Sequence, residues 1–296
     1  MKVYKEKYVA DAYRKILIDL LFHPEYISKP RNLEVKEITN CVIEIEKPNF
    51  NLFQNKVRSS PKKYISAELL WYFSGLTNAE FIEQYASLWS KLKDENNNVN
   101  SAYGYLIFNE ETDNDDGYTQ YEWVIERLKE DKDTRQAFMH FNKPRHQYKD
   151  NKDQVCTLIA LFHIRDNKLN MTLTMRSNDV IFGFMTDFTF FNILHQQVFV
   201  HMKKYYPELK MGSYTHISHS MHLYEKHYEK VDKMLYHEFY PDKTPKLTSS
   251  IIDETGKIIN IYRHIIFHPV IGRPITDERT DNKLLNWALD NLTKNK

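Results

Sequence analysis

The segment from Gln154 to Lys204 constrains the fold of this chain more than any other part of it. Gln154–Ile164 and Lys168–Arg176 alternate as β-strands do, and the polar residues between them predict a hairpin turn. An apolar helix over Phe188–Lys204, ended by Pro207, is predicted to follow. Alternation places two sets of side chains on shared faces, namely Cys156, Leu158, Ala160, Phe162 and Ile164 on the first strand and Leu169, Met171, Leu173 and Met175 on the second.

Hydrophobic periodicity predicts the remaining elements. Helices are predicted over Glu6–Phe22, from Ser66 onward after Pro61, over Thr119–Lys129 and over Asn282–Leu292, strands over Leu33–Ile45 and Tyr214–Leu223, and a polar loop over Lys93–Ser101. Strands mixed with helices in this way predict a mixed α/β fold. No repeat or linker interrupts the pattern, so residues 1–296 are predicted to form a single domain, with positions 232–296 the hardest to interpret.

Composition narrows the range of partners. The 296 residues include 41 Lys and Arg against 40 Asp and Glu, so net charge gives no indication of a nucleic-acid or membrane-surface partner. Cys41 and Cys156 are too few for a disulfide framework or a zinc site, and no metal is expected. Met1–Leu20 carries charges throughout, and the longest apolar runs fall short of the ~20 residues that span a bilayer. A cytoplasmic protein is the simplest interpretation.

Cys156 is a candidate nucleophile, although a lone cysteine on an apolar strand is more often an inert core residue. Arg176 on the neighbouring strand favours the first interpretation, because a nearby guanidinium lowers the pKa of a thiol from its ordinary value of ~8.5. Arg176 followed by Ser177 is typical of a phosphate clamp, although Arg176 alone could be a surface ion-pair partner. Asp187, ahead of the apolar helix, is a normal N-cap, and capping does not exclude a ligand contact.

Several segments, taken in order, resemble the thymidylate synthase superfamily. They are Ser66–Asn78, Leu88–Trp89 with Asn100–Gly104, Asp133–Arg135, Met175–Asp187 and Ser220–Tyr224. The joint order is far more specific than any one segment, and the recognisable core spans residues from about 31 to 231. The resemblance implies the thymidylate synthase fold, in which a large mixed sheet flanked by helices packs back to back against its twin in a homodimer.

The resemblance also implies a chemistry and a set of site residues. The thiolate of Cys156 would add to C6 of a pyrimidine deoxynucleoside monophosphate, and 5,10-methylenetetrahydrofolate would supply the one-carbon unit as co-substrate. Glu68, through water, and Tyr103 would handle protons at the pyrimidine. The implied nucleotide-binding residues are Arg31, Arg176, Ser177, Asp187, His222, Tyr224 and Arg135 of the partner subunit, and the implied folate-binding residues are Arg58, Trp89 and Asp179. Taken singly, Glu68 could be a first-turn helix acid, Trp89 a core residue and His222 an ordinary histidine.

The chain departs from thymidylate synthases at three positions. Thr157 follows Cys156 where they usually carry His, Gln136 replaces the second arginine of their cross-dimer pair, and Asp187 stands where they carry Asn. An amide matches the N3–H and O4 of uracil, whereas a carboxyl group can accept from the amino group of cytosine and share a proton with N3. A carboxylate facing O4 would leave unsatisfied polar groups at ~1–3 kcal/mol each. Asp187 therefore favours cytosine.

The deoxycytidylate 5-hydroxymethylase branch of the superfamily shares this Asp, the Cys-Thr pair and the run Met-Arg-Ser-Asn-Asp-Val-x-Phe-Gly-Phe. The sequence therefore predicts hydroxymethylation of dCMP, with 5-hydroxymethyl-dCMP and tetrahydrofolate as products. The alternatives are a thymidylate synthase acting on dUMP, a dCMP methylase that ends in hydride transfer, and a catalytically silent nucleotide or folate binder. For a viral gene, the expected location is the host cytoplasm.

Overall fold

Ten strands and nine α-helices form within residues 1–112, 117–275 and 278–293, which are the residues that this computed structural model describes. The strands are Lys2–Glu6 (β1), Tyr26–Ser28 (β2), Val35–Ile45 (β3), Leu52–Gln54 (β4), Phe138–His140 (β5), Thr157–Arg165 (β6), Lys168–Met175 (β7), Asn178–Asp179 (β8), Lys210–Tyr224 (β9) and Tyr240–Asp242 (β10). The helices are Val9–Phe22 (α1), Lys62–Ser74 (α2), Trp89–Leu92 (α3), Tyr103–Phe108 (α4), Gln120–Glu130 (α5), Phe184–Met202 (α6), Tyr228–Leu235 (α7), Asn260–Val270 (α8) and Lys283–Thr293 (α9).

Eight of the strands form one mixed sheet. Six of them lie in the order β1-β3-β9-β7-β6-β5, with β2 also beside β3 and β8 also beside β9. β1 runs parallel to β3, and both β7 and β8 run parallel to β9, whereas the other pairs in this sheet are antiparallel. β4 and β10 form a separate two-stranded ribbon. The predicted mixed α/β fold is confirmed.

The predicted hairpin is present, but its first strand begins at a bulge. The two turn residues of the hairpin have φ of 49° and 54°, the left-handed conformation that tight hairpins require. The pairing of β6 with β7 shifts register between Thr157 and Ile159. The expected shared face of Cys156 and Ala160 is therefore wrong, because the extra residue buries Thr157 instead and leaves Cys156 just ahead of the strand.

Helix α6 begins four residues earlier than the apolar pattern indicates. Its N-cap is Gly183 and its first residue is Phe184, so Asp187 lies within the first turn. The interpretation of Asp187 as an N-cap is therefore wrong. The helix packs on β7 and β9, and nearly all of its side chains are buried. Apolar as α6 is, no helix in the described ranges has both the length and the hydropathy required to cross a bilayer.

Helix α2, which carries Glu68, is buried from Ile65 to its end. It stops at Gly75, whose φ of 67° is the left-handed conformation favoured after the last turn of a helix. α8 and α9 pack on α2, so the C-terminal region contributes to the same core. α9 matches the helix predicted over Asn282–Leu292, whereas α8 was not predicted. The predicted first helix began too early, because its first residue, Glu6, is the last residue of β1.

The face of the sheet opposite α6 is half exposed, and many of its side chains are apolar or β-branched. Two rows cross the four central strands, one formed by Ile159, Thr174, Ile217 and Val42 and the other by Leu161, Thr172, Thr215 and Glu44. A sheet buries such a face against another layer. This open face is therefore a candidate interface.

Candidate active site

Cys156 and Arg176 meet at one end of the β6–β7 hairpin. The backbone N–H of Arg176 donates to the carbonyl oxygen of Cys156 at 2.9 Å, and Nη2 of the same arginine lies 3.5 Å from the Cys156 Sγ. The guanidinium also donates to the carbonyl oxygens of Gln154 and Val155, at 2.5 and 3.1 Å. The pairing of two strands thus fixes a guanidinium beside a thiol, which is the proximity that the sequence predicts.

The net effect on the thiol is opposite to the one expected. Burial raises the pKa of the Cys156 thiol to about 11, and Arg176, with a smaller contribution from Arg31, offsets only part of this rise. The carboxyl groups of Asp187 and Asp153 act in the same direction as burial. Near neutral pH the thiol therefore holds its proton, and thiolate chemistry at this position requires a proton acceptor within the site.

Asp187 acts on the same thiol from the first turn of α6. Its side chain is partly accessible, and its Oδ2 accepts a hydrogen bond from Nδ2 of Asn178 at 2.8 Å. Burial raises the pKa of the Asp187 carboxyl to about 7, although the bond from Asn178 opposes the rise. Gly183 permits this approach, because a Cβ there would lie 3.0 Å from the Asn178 Nδ2 and 3.3 Å from the Asp187 Oδ2. Because the pKa of Asp187 is about 7, its carboxyl group can exchange its proton near neutral pH.

Glu68 is a second buried carboxyl group, in the middle of α2 rather than in its first turn. The hydroxyl of Tyr64 donates to its Oε1 at 2.7 Å, and the indole N–H of Trp89 donates to the Tyr64 oxygen at 3.0 Å. Burial and, after it, the charge of Asp187 raise the pKa of Glu68 to about 8. Two carboxyl groups thus share one buried site, and they resist being ionised together.

Tyr103 completes this side of the site. Its ring lies 5.5 Å from the ring of Tyr72, at an interplanar angle of 30°, and burial raises its pKa well above the ordinary value. Its hydroxyl is therefore a hydrogen-bond donor, not a base, at neutral pH. Beside it, the buried hydroxyl of Thr157 has no partner with good geometry among the described residues. A ligand or water could bind both hydroxyls.

Replacing Glu68 by Gln should stabilise the protein at high pH and have little effect at low pH. The unfolded carboxyl ionises near its ordinary pKa of 4.5, whereas the folded one keeps its proton up to a pKa of about 8. Folding stability therefore falls as pH rises through this window, and the amide variant avoids a loss of ~2–4 kcal/mol. Urea unfolding at about pH 5 and about pH 8.5 measures the difference. Glu229→Gln, on an exposed helix surface, is the control, and a pH-independent effect of Glu68→Gln would contradict the expectation.

The end of β9 carries two more of the implied residues. The rings of His222 and Tyr224 lie 5.2 Å apart and nearly perpendicular, and Nη2 of Arg31 lies 3.5 Å from the Tyr224 hydroxyl. Arg31 has a φ of 53°, a left-handed conformation that costs a non-glycine residue ~1–2 kcal/mol and that concentrates at functional sites. Arg31 and Arg176 both act electrostatically on Cys156, and the half-buried Ser177 follows Arg176. This end of the site is therefore cationic.

Arg135 lies far from this cationic end. The segment before β5 contacts the far end of β6, where the guanidinium of Arg165 donates to the carbonyl oxygen of Asp133 at 3.1 Å. Cys156 lies at the opposite end of β6, about 25 Å away along the strand. The exposed Arg135 therefore lies outside the Cys156 site of the same chain.

Two of the three implied folate residues contact Phe182, whose ring is exposed. Asp179 accepts from two backbone N–H groups that follow it, at 2.7 and 3.1 Å, and the second belongs to Phe182. The Phe182 ring is 53% exposed, and the Arg58 guanidinium lies 5.6 Å from its centre. Trp89, in contrast, is buried, and it acts on the site through Tyr64. A flat aromatic ligand with an anionic group fits the Phe182–Arg58 surface.

Sequence reasoning missed Tyr64, Tyr72 and Asn178. Tyr64 and Tyr72 precede and follow Glu68 by four residues, and this helical spacing could have identified them as its neighbours. Asn178 lies inside the segment that carries the resemblance, but its contact with Asp187 depends on the pairing of β8 with β9 and on the early start of α6. No local pattern in the sequence predicts that contact.

Comparison with known proteins agrees with this geometry. The sequence model of the thymidylate synthase family matches residues 26–264. The deoxycytidylate 5-hydroxymethyltransferase of Enterobacteria phage T6 is 31% identical over 177 residues, which are 57% of this chain and 70% of that protein, and its phage T4 counterpart is 30% identical over the same length. The deoxyuridylate hydroxymethyltransferase of Bacillus phage SP01 is 29% identical over 203 residues, which are 66% of this chain and 52% of that protein. By its folded core and by this match, the chain belongs to the thymidylate synthase family.

Proposed function

We propose that this protein transfers a one-carbon unit from 5,10-methylenetetrahydrofolate to C5 of dCMP and leaves it there as a hydroxymethyl group. The family membership supports one-carbon transfer to C5 of a pyrimidine nucleotide. One observation carries the choice of cytosine, and it is the carboxyl group of Asp187, held at Oδ2 by Asn178 and partly accessible. A carboxylate accepts from an amino group and opposes a carbonyl oxygen, so this position favours cytosine over uracil.

The covalent steps assign roles to Cys156 and Glu68. The Cys156 thiol passes its proton through water to Glu68, and the resulting thiolate adds to C6. C5 then attacks the methylene carbon of the folate. Loss of the C5 proton and cleavage of the bond to the folate nitrogen release tetrahydrofolate and leave an exocyclic methylene. Water adds to that methylene as the thiolate leaves C6, which yields 5-hydroxymethyl-dCMP. Glu68 is the proposed proton carrier through water, because its pKa of about 8 allows exchange near neutral pH.

The cationic end of the site suits the phosphate. Arg31, Arg176 and Ser177 are the proposed phosphate ligands, and His222 with Tyr224 the proposed sugar ligands. The exposed Phe182 ring with Arg58 and Asp179 is the proposed folate surface, and Trp89 supports Glu68 through Tyr64. We further propose that residues 1–296 form one domain, because α8 and α9 pack on α2. We also propose that the protein acts in the cytoplasm.

A direct assay tests the proposed reaction against its alternatives. The protein is incubated with methylenetetrahydrofolate and either dCMP or dUMP, and the product mass and the oxidation state of the folate are measured. A hydroxymethyl product carries one more oxygen atom than a methyl product, and only the methyl route yields dihydrofolate. Thymidine monophosphate from dUMP would identify a thymidylate synthase, 5-methyl-dCMP a methylase, and binding without product a silent binder. The relative from phage SP01 makes dUMP the main competing substrate.

We also propose a homodimer, formed through the open face of the sheet. Apart from Glu44, the rows through Ile159 and Leu161 are apolar or β-branched and half exposed, and a second copy of the same face would bury them. The position of Arg135 supports this arrangement, because that residue lies outside the site of its own subunit. In a back-to-back dimer its guanidinium would serve the phosphate of the partner, and Gln136 would leave that contact to Arg135 alone.

Mixing two inactive variants should restore activity if Arg135 acts across the dimer. Cys156→Ala and Arg135→Ala subunits form a heterodimer with one intact site, so an equal mixture should recover about a quarter of wild-type turnover. Cys156→Ala mixed with Arg176→Ala is the matched control, because both residues belong to the same subunit's site and no intact site forms. Subunit exchange is verified by native mass spectrometry. The absence of recovery in an exchanged mixture would count against the cross-dimer role.

A further inference from the structure

A hydrogen-bond chain runs from β9 to Asp187. The hydroxyl of Tyr214 lies 3.3 Å from Nδ1 of His216, and Nε2 of His216 lies 3.1 Å from Oδ1 of Asn178. Nδ2 of Asn178 in turn donates to Oδ2 of Asp187 at 2.8 Å. Tyr214, His216 and Asn178 are all buried, so the chain reaches the site from the interior of the protein.

The hydrogen bonds of this chain are satisfied when each residue donates to the next one, from Tyr214 toward Asp187. Burial lowers the pKa of His216 to about 3, so its ring stays neutral, with one N–H donor and one acceptor nitrogen. Among the described residues, the Tyr214 hydroxyl has its hydrogen bond with Nδ1 of His216, which makes that nitrogen the acceptor. Nε2–H therefore donates to Asn178 Oδ1, and the amide NH₂ of Asn178 is turned toward Asp187.

Helix α6 holds the two rings of the chain in place. The ring of Phe184 lies 5.2 Å from that of His216 at 88°, and the ring of Phe188 lies 4.8 Å from that of Tyr214 at 77°. These are edge-to-face contacts, which fix ring orientation. Because Asp187 lies on the same helix, the donors and the carboxyl group that they serve are held in one packed unit.

The direction of donation decides what Asp187 offers to a ligand. A protonated carboxyl group can donate or accept, whereas a carboxylate can only accept. A fixed donor at Oδ2 favours the carboxylate, which leaves the second oxygen as an acceptor. We propose that Tyr214 and His216 are positioning residues that orient the Asn178 amide and thereby make Asp187 an acceptor for the cytosine amino group that rejects O4 of uracil. This inference rests on the proposed function, because it requires a pyrimidine ligand.

Other titratable groups interact with Asp187, and some of them act against the hydrogen bond from Asn178. The charge of Asp179 on β8 favours a protonated Asp187, and the charge of Asp187 in turn raises the pKa of Glu68 on α2. The remaining groups that interact with Asp187 are Tyr64, Tyr72, Tyr103, Cys156 and Tyr214. Without the donor from Asn178, the carboxyl would hold its proton to higher pH and could then donate to O4. Discrimination between the two bases would therefore weaken.

Two substitutions at one position separate donation from packing. His216→Leu removes the donor to Asn178, whereas His216→Gln places an amide N–H close to the position of Nε2. We expect the Leu variant to lose about tenfold in the ratio of kcat/KM for dCMP over dUMP, and the Gln variant to keep most of it. Tyr214→Phe removes one hydroxyl and should give a smaller loss in the same direction, which also covers an unstable Leu variant. Isotope-edited infrared titration of aspartate carboxyls, without ligand, should show a higher pKa for Asp187 in the Leu variant.

The control is another buried histidine of the same kind. His195 bonds the carbonyl oxygen of Leu169 through Nε2, away from Asp187, so His195→Leu should leave the ratio unchanged. An equal loss of discrimination in His195→Leu would overturn the proposal. An unchanged ratio and an unchanged infrared titration in both His216→Leu and Tyr214→Phe would do the same. A wild-type preference for dUMP would instead overturn the cytosine assignment. The role of the hydrogen-bond chain would still be tested, by whether its variants move the ratio of kcat/KM for dCMP over dUMP toward one.

Discussion

Cys156→Ser is expected to abolish product formation while leaving the fold and nucleotide binding intact. The thiol lies beside the Arg176 guanidinium, with its sulfur 3.5 Å from Nη2, and a serine hydroxyl there would be a far weaker nucleophile without a strong base. Turnover should fall below about 1% of wild type. Product formation is measured by mass spectrometry, and dCMP affinity by calorimetry on the same preparation.

Cys41 provides the internal control for this experiment. It is fully buried in the sheet, whereas Cys156 is partly accessible. Cys41→Ala should keep turnover per folded molecule, and iodoacetamide should label Cys156 alone in the native protein. Burial raises the pKa of Cys156 to about 11, so labelling should accelerate as pH rises well above neutral. Retention of more than a few per cent of turnover in Cys156→Ser would exclude the covalent mechanism.

Most of the fold could be predicted from local pattern, and the errors come from long-range contacts. The β6–β7 hairpin and α6 were predicted because alternation and helical periodicity are local properties. The face assigned to Cys156 was wrong, since a bulge at Thr157 depends on how β6 pairs with β7. The helix start was wrong because Phe184–Met185 pack against the core from the first turn, and the N-cap, Gly183, has no side chain that could mark that start.

The candidate site likewise combines features that follow from local sequence with features that depend on long-range contacts. Proximity of Arg176 to Cys156 followed from the strand pairing, which the hairpin turn fixes. The sign of the net shift in the thiol pKa did not follow, because burial is a property of the whole fold and outweighs one guanidinium. The donor chain through Asn178 and His216 joins positions on β8 and β9 that are far apart in sequence. Such residues can therefore be identified only once the pairing of the strands in the sheet is known.

Asp187→Asn is expected to shift base preference from dCMP toward dUMP by about a hundredfold or more, because two polar contacts change. In the wild type, Asn178 donates to Oδ2 of Asp187, and in the proposed complex the other oxygen would accept from the cytosine amino group. In the variant, the amide oxygen would keep the bond from Asn178, so the new NH₂ group would take the second position. That NH₂ group would donate to O4 of uracil and oppose the cytosine amino group.

The measurement compares kcat/KM for dCMP and dUMP on three proteins. Asp253→Asn is the matched control, because it makes the same chemical change at a carboxylate that accepts from backbone N–H groups in the turn ahead of α8. It should weaken the turn without moving base preference. A capping role cannot account for a shift at Asp187, since the helix begins at Phe184 and Gly183 is its N-cap. If base preference stays the same in Asp187→Asn, the carboxyl group does not read the base. A wild-type preference for dUMP would make this protein a uracil-specific member of the family and would require that the Asp187 carboxyl be protonated when it meets O4.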